Sequence, residues 1–128
     1  MTTRIFATHI DIPEPQRVEL IALLNGRLAD TFDLYSQLKQ AHWNVKGTDF
    51  IQLHELFDTL AATTLGHVDL IAERATALGG SAVGTVRAAS QNSTLPEYPS
   101  QPGGCSRVRV WKTSSPSRRA CSFCSSAA

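Results

Sequence analysis

No proline interrupts the chain from Phe50 to Leu78, and Gly79-Gly80 closes the run. Proline is the residue a helix interior tolerates least, and glycine commonly comes just past a helix end. The stretch therefore predicts one helix of about 28 residues, about 42 Å long at about 1.5 Å per residue. Thr48 or Asp49 can cap its start, because a short side-chain oxygen accepts from the free amide N–H groups of the first turn. Gly47, just before, suits the end of a preceding helix.

The polar residues on this helix fall into register. His54 and Asp58 lie four apart, as do Asp69 and Glu73, so each pair shares a face. Asp58 to Asp69 is eleven residues, close to three turns, which returns to the same stripe but about 16 Å further along the axis. Metal ligands sit only about 2 Å from their ion, so no single ion touches both pairs. Spacing alone leaves two readings open. These are solvated charges on a helix surface, or the helix packs antiparallel on its own copy across a two-fold axis. In the second case His54 and Asp58 of one chain face Asp69 and Glu73 of the other, and the isologous contact repeats the site. Nitrogen and carboxylate donors together suit iron or zinc better than calcium or magnesium.

Upstream, Pro13 and Pro15 set up a helix start, and from about Arg17 the pattern is helical. Ile21, Leu24, Leu28, Tyr35, Leu38 and His42 recur at threes, fours and a seven, one apolar stripe that Phe32 widens. Arg27, Asp30, Asp33 and Lys39 are expected on the other side. His42 ends the stripe, where a histidine reads as a core residue or a ligand. Trp43 reads as helix-end packing or as an electron source beside a metal. His67 is about 200° around the helix from Asp69 and is expected to face elsewhere. Glu55 reads as solvated or salt-bridged.

His42-Trp43-Asn44, Gly47, Phe50, His54, Asp58, Asp69 and Ala72-Glu73-Arg74, closed by Leu78-Gly79-Gly80, resemble the Dps family of miniferritins. The likeness runs roughly from residue 15 to 99. It implies an all-α, ferritin-like four-helix bundle, of which only the first two long helices are evident here, and assembly into hollow dodecamers. It implies a ferroxidase that oxidises Fe2+ to Fe3+ with H2O2 or O2, stores the iron and protects against oxidative stress. The ligand set implied is His42, His54 and Asp58 from one chain, with Asp69 and Glu73 from its two-fold mate.

Charge divides the chain. Residues 1–97 carry seven Lys or Arg against eleven Asp or Glu, a net of −4, whereas 98–128 carry five bases and no acid. An acidic body gathers cations. The arm 1–16 holds Arg4 alone as a base, so DNA binding from it is expected to be weak. The helical domain is expected over 17–99, with a connector from Ser81 to Pro99. Residues 100–128, rich in serine and arginine and without helical periodicity, read as a disordered tail outside the family pattern, such as a shifted reading frame gives. That tail is not expected to supply the other half of a bundle, so a stable dodecamer is not expected from this chain. Two rival readings stand beside this one, a truncated product with impaired assembly and activity, and a non-specific DNA binder acting through the basic tail.

Cys105, Cys121 and Cys124 all fall in the tail. An odd count without a signal peptide argues against a secreted disulfide framework, and one isolated C-x-x-C lacks the other half of a zinc site. No apolar run approaches the about 18 residues of a membrane span. The expectation is a cytoplasmic protein with no membrane partner, with association with the nucleoid as an option.

Overall fold

The computed structural model describes residues 5–99. Three helices, α1 (Glu14–Asn44), α2 (Phe50–Ala77) and α3 (Val86–Asn92), make up its regular structure, and no strand occurs among the described residues. The expectations for residues 1–4, including Arg4, and for residues 100–128 lie outside the described residues.

The two long helices form an antiparallel hairpin. Ile21 and Leu28 of α1 are its largest fully buried side chains, and on α2 the buried apolar residues are Ala61 and Ala75, small enough to let the helices approach closely. Ile21 and Leu28 are stripe residues that periodicity picks out. α1 begins at Glu14 rather than near Arg17, because Pro13 caps it and Pro15 sits in the first turn, where a missing N–H is no loss. α2 starts after Asp49 as expected, but the Asp49 side chain makes no capping bond. Gly47 takes φ 117° in the turn between the helices, a left-handed conformation that glycine reaches without steric cost.

The far end of the hairpin is closed by the N-terminal segment. The last carbonyls of a helix have no partner within it. Here Thr8 Oγ1 donates to Ala77 O at 3.0 Å, Arg17 Nη1 to Leu78 O at 3.2 Å and Phe6 N to Gly79 O at 2.7 Å. Gly79 stands at φ 85°, and a Cβ there would run into the Phe6 carbonyl. Part of the segment expected to be an arm is therefore structural.

The connector differs from expectation in two ways. It contains α3, whose N-cap Thr85 accepts from Ala88 N at 3.2 Å. It is also fastened to the polar side of α1. Asp30, buried, accepts from Thr94 N at 2.7 Å and Thr94 Oγ1 at 3.1 Å, and Asp33 accepts from Ser93 Oγ at 2.6 Å. Asn25 donates to Ser81 O at 3.1 Å and accepts from Val83 N at 2.8 Å. That side of α1 is a docking strip for the connector, not a water-facing stripe. No helix among the described residues is long and apolar enough to cross a membrane.

Candidate metal centre

The turn Val45–Asp49 brings the last turn of α1 against the first turn of α2, and with them His42 and His54. Their rings stack with centroids 3.7 Å apart and planes 24° from parallel. Phe50 covers the His54 ring, centroid to centroid 5.0 Å. Each imidazole also reaches the other's backbone. His42 Nδ1 lies 2.8 Å from His54 O, and His54 Nδ1 lies 3.1 Å from His42 O. A carbonyl oxygen only accepts, so both Nδ1 atoms carry the hydrogen and donate. In the neutral ring that leaves each Nε2 with its lone pair, the state a metal ligand requires.

Asp58 lies one turn beyond His54 on α2. Its Oδ1 accepts from Lys39 Nζ at 2.7 Å. That hydrogen bond and the lysine's charge hold the Asp58 carboxyl below the usual carboxylate range, with smaller help from His42 and His54 against a small opposing effect of desolvation. The carboxylate thus stays anionic at neutral pH, with one oxygen engaged by Lys39. Lys39, expected among the outward charges of α1, instead reaches across to α2 and to this cluster. A separation of nineteen residues hides such a pair from local spacing.

Asp69 and Glu73 stand apart. Both are exposed, on the same stripe of α2 but about three turns nearer its C-terminus. Asp69 borders a cavity of about 650 Å³ formed with Leu28, Leu65, Ala72 and Gly84, among other residues. Among the described residues no three His, Cys, Asp or Glu side chains converge on one point. Of the five residues read from the sequence, the structure brings His42 and His54 into contact, leaves Asp58 one turn along α2 bonded to Lys39, and leaves Asp69 and Glu73 further along the same helix. His67 and Glu55 are exposed and outside this cluster, and Trp43, at 67% exposure, is not packed at the helix end.

Residues 21–105 match the ferritin-like domain family. A DNA protection during starvation protein of Agrobacterium fabrum is 45% identical over 92 residues, covering 72% of this chain and 57% of its own length. Its namesake from Brevibacillus brevis is 40% identical over 80 residues, 62% of this chain and 54% of its own. DpsC from Streptomyces coelicolor superposes with a TM-score of 0.71 at 35% identity, over 81% of this chain and 59% of that one. The chain belongs to the ferritin-like family, as a Dps-type miniferritin. It spans just over half the length of the Dps relatives it matches. Within one copy of this miniferritin about 16 Å of α2 separates Asp58 from Asp69, too far for one ion to bridge.

Proposed function

We propose that this chain carries the ligands of a Dps-type ferroxidase and that two copies complete it. His42 and His54, through Nε2, and Asp58 of one copy hold Fe2+ against Asp69 and Glu73 of a second copy, so a two-fold pair has two equivalent sites. The observation that carries this reading is the reciprocal bonding of His42 and His54, which frees both Nε2 atoms beside an anionic Asp58. Two Fe2+ ions supply the two electrons that reduce one H2O2 to water, and O2 is the other candidate oxidant. Carboxylates favour the Fe3+ product because its higher charge is better matched by anionic oxygen. Iron is stored in the assembly of copies, a dodecamer in full-length family members. Consuming Fe2+ and peroxide together suppresses radical chemistry near DNA, which fits the starvation-protection names of the relatives.

Complementation tests the shared site. His54→Ala and Glu73→Ala chains should each lose rapid Fe2+ oxidation while keeping helical circular dichroism. In a heterodimer of the two, one composite site carries both lesions and the other carries neither, so part of the activity should return. Verified heterodimers with no recovery would place the ligands within a single chain and overturn the pairing.

A further inference from the structure

We propose that the Lys39 ammonium has two seats, and that a multivalent cation entering at Asp58 moves it from one to the other. Lys39 Nζ donates to Asp58 Oδ1 at 2.7 Å and lies 6.0 Å from the centre of the Trp43 ring. A cation is drawn to an aromatic face within about 6 Å of the ring centroid, so one ammonium has both a carboxylate and an indole within reach. Its flexible four-carbon stem lets it exchange the two. Exposure decides which partner an incoming ion meets. The Asp58 side chain is 58% exposed and that of Lys39 only 22%, so a hydrated ion reaches the carboxylate directly from water. An exposed ion pair is weakly held, because water screens it. At equal distance a divalent ion attracts Asp58 about twice as strongly as the ammonium does, and it repels the ammonium as well. A monovalent ion has no such advantage. Lys39 therefore keeps Asp58 from ions of single charge and yields it to ions of higher charge.

The second seat is already formed. Lys39 and Trp43 line a cavity of about 670 Å³ together with Gln40, Glu97 and Tyr98, among other residues. Trp43 is 67% exposed, so other side chains do not wall in its indole. Glu97 takes part in neither of the two ion pairs found among the described residues. A displaced ammonium thus keeps an aromatic face, with an acid on the same cavity, instead of moving into bare water. Asp33, the other acid on this cavity, already accepts from Ser93 and Gln37. The identity of the entering ion rests on the ferroxidase reading proposed above, but the two seats do not.

Proton NMR of the full 128-residue chain reads where Lys39 sits, because the ring current of an indole moves protons over its face upfield. Trp111→Phe leaves Trp43 as the sole tryptophan. In that background and in chelator, Asp58→Ala should move the Lys39 ε-methylene resonance upfield with helical circular dichroism retained. Adding Trp43→Leu should abolish the movement. With Asp58 intact and the chelator removed, Zn2+ should produce the same upfield movement as it binds, whereas K+ at equal ionic strength should not. Should Asp58→Ala unfold, Asp58→Asn is read in its place, with a smaller movement expected. No upfield movement in a folded Asp58 variant would overturn the second seat, whatever Zn2+ does. Zn2+ bound in calorimetry with Lys39 unmoved would overturn the displacement. Movement in Asp58→Ala without any Zn2+ binding to the parent chain would support the two seats and sink the ligand reading instead.

Discussion

Lys39 of α1 donates to Asp58 of α2 across 2.7 Å, placing an ammonium group on the one carboxylate that accompanies His42 and His54. A lysine there acts in two opposed ways. It keeps Asp58 ionised, and it occupies one of the oxygens a cation would use.

Removing that ammonium separates the two effects. In Lys39→Met the Asp58 carboxyl should titrate at a higher pH than in the parent chain, which carboxyl NMR reads directly. The sign comes from the depressed folded value. The pair's contribution to stability is present above the unfolded carboxylate pKa of about 4 and is lost as pH falls through the lower folded value. At neutral pH the variant should bind Zn2+, a redox-silent probe, severalfold more tightly, because Asp58 no longer has to release a cation first. Weaker binding in calorimetry would show that Lys39 positions the carboxylate more than it competes for it.

The histidine pair should matter to the fold as well as to metal. His54→Ala removes a ring stack, the bond from His54 Nδ1 to His42 O, and the cover over His42. A net loss of about 1–2 kcal/mol in metal-free denaturant unfolding is expected, as for one hydrogen bond and one aromatic contact. Glu73→Ala, at an exposed position on α2, should change stability by less than about 0.5 kcal/mol. Equal losses in the two variants would mean that the clasp carries no load in the hairpin.

Much of this is legible in the amino-acid pattern. The proline-free run bounded by Gly47 and Gly79 locates α2 to within a residue or so, since breakers act locally. The stripe through Ile21 and Leu28 marks the buried side of α1, because burial tracks the helical repeat. The mutual bonding of His42 and His54 is not legible, since it depends on how the turn Val45–Asp49 aims two helix ends. Lys39 and Asp30 escape the pattern for a related reason. Periodicity says that a charge is off the apolar stripe, but not which distant segment will dock on it.

Asp30 shows what such docking contributes. Its carboxylate collects Thr94 N, Thr94 Oγ1 and Arg27 at 2.7, 3.1 and 2.9 Å. Asp30→Ala should cost about 0.5–1.5 kcal/mol, the net worth of a typical hydrogen bond, since the donors it loses are exposed and can turn to water, and should free the Thr94 amide to exchange faster. Thr94→Val, which keeps the backbone N–H bond, should cost less. An exchange rate at Thr94 unchanged in Asp30→Ala would show that the connector is held by α3 alone.

DNA binding, if the chain has it, should come from its basic end and not from its body. Residues 1–97 carry a net −4, and Arg107, Arg109, Lys112, Arg118 and Arg119 supply the positive charge beyond them. Each phosphate contact releases counterions, so log affinity falls with log salt in proportion to the number of contacts. Five bases give a slope of at most about −4.5 on duplex DNA. At about 0.15 M salt, with screening over about 8 Å, binding should be weak and indifferent to sequence. Changing the five bases to glutamine should abolish it without altering Fe2+ oxidation. A five-glutamine chain that still shifts duplex DNA at that salt would locate the contact on the helical body, against the repulsion its acids impose.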